Sequence, residues 1–472
     1  MRNLSIGCLR AVWFSVFLLF APLFGAFAAG SGHIAETEPV LDLQRVIKLA
    51  LDTNRSLIGG QYGVDSRRLS LGSAQSEFEW KFAPGADANV DDAGRQFSAG
   101  VVIEKKFASG LVASLNPRLT LNHYDGEDDD VDGEVNLKLI LPLLRGFGSH
   151  VNLHGIHTAA YSLRSARRLQ DLAKVNIVLS TVRAVYDIVQ QKELVALYQG
   201  QVDRFKRHAV LAHSREKVGL ASPIDTYRAE IRLKDAQDSL SRSQEALHNA
   251  GDNLKLILAS PLEHNLRVTA PLAFKSVDIT IGEAVAAAMR HRIELKQAAD
   301  EIEEARRAAR IFENNLKPQL DLMASYRQMG SDGPMDDTLQ FDEERWTVNL
   351  VSSTDWSRKV EKAAYRQSLL AIRMASLNRS SKIDSIRQEV RRAYDALQKS
   401  EERISLRDVQ IGQASGKLAL ANVQFCHGMA DNFDVIEAET ELQTAKVNWL
   451  AAKIEHIVGR YQLRAAMGTL IQ

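Results

Sequence analysis

The chain has little of what would make it a compact secreted domain. It holds two cysteines in 472 residues. Cys8 lies in a segment that reads as a secretory signal over 1–28: Arg2 and Arg10, an apolar run from Ala11 to Phe27, and Ala26-Phe27-Ala28 as a cleavage site. That leaves Cys426 alone, so an exported mature chain has no internal disulfide and relies on packing or assembly. No later stretch reaches the ~18 apolar residues that a membrane-spanning helix needs. Neither sign of charge is in excess, with 59 Lys plus Arg and 59 Asp plus Glu, and there is no basic tract. This gives no electrostatic case for nucleic acid. No Gly-x-Ser-x-Gly, His-Glu-x-x-His or phosphate-loop pattern occurs. The chain is therefore read as a non-enzyme without a cofactor.

Proline is scarce and unevenly spread. There is none between Pro142 and Pro223, and none after Pro334. Proline breaks long helices, so these gaps are where long helices fit. Leu172, Val175, Leu179, Val182, Tyr186 and Val189 recur three and four apart in the first gap. In the second, Ile383, Val390, Leu397, Ile404, Ile411, Leu418 and Phe425 fall at seven-residue steps. Their seam partners are Ile386, Ala393, Ser400, Arg407, Ala414 and Ala421. A strict heptad predicts a left-handed supercoil, and the small seam residues predict closely packed helices. A helix over 150–215 would be roughly 100 Å long at 1.5 Å per residue. Such a rod suits something that crosses a wide space.

What the chain does have is itself, twice. Leu41-x-Leu43-x-x-Val46-Ile47-x-x-Ala50-Leu51 returns as Ile279-x-Ile281-x-x-Ala284-Val285-x-x-Ala288-Met289, an offset of 238 residues. Gly219-x5-Asp225-x3-Ala229-Glu230 returns as Gly428-x5-Asp434-x3-Ala438-Glu439, an offset of 209. One structural unit is thus used twice, with about 29 extra residues in the first copy. The first repeat is placed at 29–280 and the second at 281–472.

Short alternating segments sit between the helical stretches and predict strands, over about 78–142 in the first repeat and 320–357 in the second. Long helices are expected over about 150–258 and 358–468. The hairpin at 96–123 is the candidate insertion. Acidic loops, 125–132 and 332–344, join the strands. Alternating faces with aromatic ends (Trp80, Phe82, Tyr124, Tyr326, Trp346) suit an outer-membrane barrel. Four to six strands cannot close one, so copies must share it; four strands from each of three chains would give twelve.

Several motifs stand in order on this pattern: residues 41–54, the strand exit Leu141-Pro142-Leu143-Leu144-Arg145-Gly146-Phe147-Gly148, the tip Lys217 to Asp225, and the closing Ala465-Ala466-Met467-Gly468-Thr469-Leu470. In these the chain resembles the outer membrane efflux protein family, the TolC-like outer membrane channels, over roughly 40–470. The resemblance implies a mainly α fold with membrane β: coiled-coil helices forming a periplasmic α-barrel, plus a trimeric outer-membrane β-barrel. It implies a passive exit duct of a tripartite efflux or type I secretion system. The partners implied are two further copies, outer-membrane lipid, a periplasmic adaptor (membrane fusion) protein and an inner-membrane pump. The location implied is the cell outer membrane, extending into the periplasm.

The resemblance also implies a site. Val218, Gly219 and Leu220 match the family's adaptor-contacting tip, and Gly428 and Met429 occupy the second tip. Glycine at either tip also suits a tight helix–helix turn with no partner involved. Asp434 and Glu437 fall where the family has an acidic constriction ring, which would favour cations. Asp434 equally fits a helix N-terminal cap, as its repeat Asp225 does. Phe425 and Ala430 stand where the family has a Tyr and an Arg that lock the closed tip. His150, His154 and His157 are weak metal candidates by their i, i+4, i+7 spacing, against a polar helix face. The acidic stretch 125–132 lacks calcium-loop spacing and reads as a solvated loop. The rival reading is a structural periplasmic or surface coiled-coil protein without a pore, which the heptads fit and the paired strands do not.

Overall fold

The computed structural model describes residues 40–90, 94–124, 130–219, 221–330, 341 and 343–471. The expected signal segment, Leu220 and most of both acidic loops lie outside the described residues. The first half runs β1 (Leu41–Asp42), α1 (Leu43–Thr53), α2 (Arg55–Ser76), β2 (Trp80–Val90), β3 (Gly94–Lys106), β4 (Val112–Tyr124), β5 (Asp130–Pro142), α3 (Ser149–Asn152), α4 (His154–Lys217) and α5 (Pro223–Ile257). After β6 (Val268–Thr269), which closes the first half, the second runs α6 (Ile281–His291), α7 (Ile293–Asn315), β7 (Gln319–Gly330), β8 (Glu343–Ser353), α8 (Lys359–Cys426) and α9 (Asn432–Ala466).

The repeat is visible in the helix ends. α1 and α6 each have 11 residues and start 238 positions apart; α5 and α9 each have 35 and start 209 apart. Local chemistry sets these ends. The Asp42 carboxylate accepts from the Arg45 N–H at 2.9 Å to start α1. Thr280 and Glu283 form a capping box at the start of α6, which satisfies two otherwise orphaned backbone donors. Asn54 caps α2, whereas Arg292 in the matching place makes no cap and instead holds Glu294 and Glu389.

The helices form a row. Near the sheet, α2 packs on α4, α4 on α7 and α7 on α8; toward the other end, α5 packs on α4, α4 on α9 and α9 on α8. α4 and α8, 64 and 68 residues long, run through both levels. The heptad seam is buried at Ile386, Val390, Leu397, Ser400, Ile404, Ala414, Ala421 and Phe425. On α4 the expected stripe is deepest at Val182, Tyr186 and Val189, while Leu172, Val175 and Leu179 are only half-buried. Around Val178 to Val189 the helix is buried on several sides, because α1, Leu254 of α5, Val268 and the end of α9 all close over it. Tyr186 donates to the Pro271 carbonyl there, and burial pushes its phenol up to about 12.

β1 and β6 make a short parallel pair, and the other strands form one antiparallel six-stranded sheet, β2-β3-β4-β5-β7-β8. The sheet of one chain thus holds six strands, where four would be its share of a twelve-stranded barrel: β3 and β4 are inserted between β2 and β5. Register puts one kind of side chain on each face. Phe97 lies opposite Leu121, Ile103 opposite Leu115, Leu115 opposite Leu137, Leu137 opposite Tyr326, and Tyr326 opposite Trp346. These residues are almost all exposed, as are Phe82, Val348 and Leu350 on the same face. The opposite face carries Lys81, Asp87, Gln96, Ser98, Arg118, Asn122, Glu134, Lys138, Arg327 and Thr347. Cross-strand links lace it: Gln96 to Asn122 at 3.0 Å, Asn122 to Asp132 at 2.9 Å, and Arg327 to Glu134 at 3.0 Å.

Leu254 is wholly buried in the largest core cluster. Leu254→Ala leaves a cavity where α1, α4 and α5 meet. It should cost ~2–5 kcal/mol, read as a lowered thermal unfolding midpoint. A shift no larger than that of the exposed control Leu256→Ala would contradict this packing.

Candidate functional site

Apart from the three histidines, the described residues singled out from the sequence gather at the two helical tips. α4 ends at Lys217 and the chain turns through Gly219 at φ +75°, its N–H donating to the Glu216 carbonyl at 2.9 Å. Ser222 and Asp225 then form a capping box that starts α5. α8 ends at Cys426 and turns through Gly428 at φ +72°, with the Met429 N–H on the Gln424 carbonyl at 2.8 Å. Asp431 and Asp434 form the matching capping box for α9. The positive φ accounts for both glycines, since a Cβ disfavours it. Val218 and Met429 are 68% and 70% exposed at the two tips.

Asp434 is a working cap: its carboxylate accepts from the Asp431 N–H at 3.1 Å. Its side chain and that of Glu437 one turn later lie on the exposed face of α9, opposite buried Val435, Ala438 and Leu442. Sequence reasoning missed their cation. Lys417 of α8 lies 2.8 Å from Glu441 and 3.9 Å from Glu437. The hydrogen bond to Glu441 holds its ammonium above the usual lysine value, against slight desolvation, with the charges of Glu441, Glu437 and Asp434 adding. Arg228, the first-half counterpart of Glu437, sits over the Phe433 ring at 5.6 Å.

A second missed feature joins the two hairpins. The Arg204 guanidinium of α4 donates to the buried carboxylate of Glu439 on α9, and to Gln443 at 3.4 Å. Burial lowers the pKa of His208, one turn along, while Glu439 pulls it the other way. The sequence paired Glu439 with Glu230 as a repeat, yet Glu230 is exposed. The available signal was Glu439 and Gln443, four apart among the apolar positions of α9.

At the tip seam Phe425 makes a contact that its lack of a polar group did not suggest. The Arg215 guanidinium lies 4.0 Å from its ring centroid, a cation–π contact between α4 and α8. Ala430 packs beside the same cluster. The histidine candidates are not on one continuous helix: His150 is in α3, and His154 and His157 are in α4, with Leu153 between. Among the described residues no three His, Cys, Asp or Glu are grouped to hold a metal ion.

Residues 284–469 match the sequence model of the outer membrane efflux protein family. The chain is 22% identical over 381 residues to the outer membrane efflux protein BepC of Brucella suis biovar 1 (strain 1330), covering 79% of this chain and 81% of that one. Its fold matches the outer-membrane channel OprN with TM-score 0.72 at 14% identity, over 90% of each chain. It matches the outer membrane protein VceC of Vibrio cholerae with TM-score 0.70 at 15% identity, over 90% of this chain and 96% of that one. Over 284–469 the chain thus matches the family that its motifs resemble, and its fold is that of the outer-membrane channels. The location that goes with this family is the outer membrane.

The Arg204–Glu439 pair separates charge from shape. Arg204→Ala strands a buried carboxylate and should cost about 3–5 kcal/mol. The double variant Arg204→Met with Glu439→Leu should recover most of that loss in a thermal unfolding series. Equal losses in single and double variants would mean that the side-chain volumes, not the charges, matter.

Proposed function

We propose that this chain is one third of a passive exit duct, a homotrimer that crosses the outer membrane and receives cargo from an inner-membrane pump through a periplasmic adaptor. The observation that carries this reading is a sheet with two open edges set on a helix row with two open edges. β2 and β8 each pair on one side only among the described residues. The outer helices of the row expose apolar side chains: Tyr62 and Leu69 on α2 and Leu370 and Leu377 on α8 toward the sheet, then Tyr227 and Ile231 on α5 and Leu420 and Val423 on α8 near the tips. An unfinished edge of either kind needs a partner. The next copy supplies both at once, β8 beside β2 and α8 beside α2 and α5.

The tips are the adaptor-docking ends in this reading, through Val218, Gly219, Leu220, Gly428 and Met429. Asp434 and Glu437 form the constriction, three of each around the axis, with Asp434 also capping its helix. Lys417 tempers that ring by offsetting one carboxylate per copy. A coiled-coil spacer without a pore has no use for a sheet that is apolar on one face and polar on the other. No chemical step is assigned to the chain.

Detergent-solubilised protein should have about three times the mass of one mature chain by light scattering, and the reconstituted pore should prefer cations. Asp434→Asn with Glu437→Gln should abolish that preference, and Lys417→Gln should strengthen it. A pore whose reversal potential ignores all three substitutions removes these residues from the constriction.

A further inference from the structure

We infer that the inserted hairpin β3–β4 is part of the membrane wall, so that the trimer closes an eighteen-stranded barrel rather than a twelve-stranded one. The inference rests on the trimeric duct reading and adds its width. An insertion could sit outside the membrane, fold into the lumen, or stand in the wall. Side-chain pattern, length and anchoring separate the three.

The pattern is that of a wall. Along β3, Phe97, Ala99, Val101 and Ile103 share a face; along β4, Ala113, Leu115, Pro117, Leu119 and Leu121 share it. Register places that face in line with Ala86 and Ala88 of β2, and with Val131, Leu137 and Leu139 of β5. The apolar band therefore crosses all six strands without a break. A water-exposed hairpin has no reason to keep it, and a lumen plug would meet polar side chains with it. The inserted strands' other face is polar and bonded to both older neighbours. Arg118 of β4 lies 2.5 Å from Asp87 of β2 and also reaches Ser98. Asn122 of β4 accepts from Gln96 and donates to Asp132 of β5.

The length fits too. β3 and β4 have 13 residues each, where a tilted strand needs ~9–11 to cross the hydrocarbon. The turn between them is fastened to the junction of sheet and helices. The Gly148 N–H donates to the Ser109 carbonyl at 2.9 Å. Gly110, at φ +99°, sits so close to Gly146, Asn152 and Pro142 that a Cβ would lie within 3.0 Å of all three. The hairpin is seated where the wall meets the periplasmic helices.

Width follows from the count, because barrel diameter grows about in proportion to strand number. With strands ~4.8 Å apart and tilted about 40°, eighteen give a backbone diameter of about 36 Å against about 24 Å for twelve. Four helices per level in each of three copies, spaced ~9 Å apart, close a ring of about 34 Å. The membrane section would be as wide as the helical section, with no narrowing between them. Selection by size would then fall on the periplasmic tips, and cargo that passes the tips would meet no second sieve.

The test uses spin labels on the full-length protein in lipid, in a Cys426→Ser background. A label on Ala324→Cys, in β7, reports the distance between copies in either barrel. That distance should be about 1.5 times the value for twelve strands. Labels on Ala99→Cys and Leu119→Cys should be relaxed by dissolved oxygen, and those on Ser114→Cys and Thr120→Cys by a water-soluble nickel chelate. Nickel relaxation at all four positions, or an Ala324 distance fitting twelve strands, would overturn the inference. A monomeric mass with no inter-label distance would instead overturn the trimer, and the count with it, even if the alternating relaxation still marked β3–β4 as membrane strands.

Discussion

A β-strand has hydrogen-bonding groups on both sides, and β2 and β8 use only one side within the described chain. Every other element is arranged around that constraint. The sheet is apolar on one face, so water cannot cover it; its edges are long, so they cannot be left bare. The helix row has the same defect in another form, with apolar side chains on its outermost helices. In the trimeric reading one operation, the addition of a neighbouring copy, relieves both. The buried contacts inside the chain, from Leu254 to the α8 seam, hold the row in the shape that lets the two kinds of edge meet their partners together.

Much of this was legible in the sequence because it is carried by spacing. The 238-residue and 209-residue offsets reappear as equal-length helices, α1 with α6 and α5 with α9. The heptad of α8 reappears as its buried seam. The alternation in Val135 to Leu141 reappears as a strand with one apolar face. What spacing cannot show is which elements become neighbours. The 96–123 hairpin was readable as an insertion, but its place between β2 and β5 depends on strand pairing. Arg204 and Glu439 lie 235 positions apart, and nothing local to either announces the other. Lys417 was overlooked for the same reason. The cap role of Asp434 was readable, since Asp225 repeats it on the same motif.

The tips combine order and exposure. Capping boxes at Ser222 and Asp431 fix where α5 and α9 begin, and the two left-handed glycines fix the turns before them. The side chains left facing out, Val218 and Met429 among them, have no partner holding them within the described chain. Behind the tips the links are stronger. Arg215 lies on the Phe425 ring, and Arg204 is bound to Glu439. Any opening of the tips that separates α4 from α9 must therefore part this charge pair, a cost offset by the rehydration of both groups.

The insertion of β3 and β4 as a pair has a topological consequence. Each strand that crosses the membrane reverses the side on which the chain emerges. If β3 and β4 both cross, as inferred above, the two additional crossings restore it, and α4 starts on the same side as α2. A single added strand would have delivered α4, and every helix after it, to the exterior of the cell. Wall growth in such a chain would therefore be quantised in hairpins, and in the proposed trimer the smallest step in circumference would be six strands.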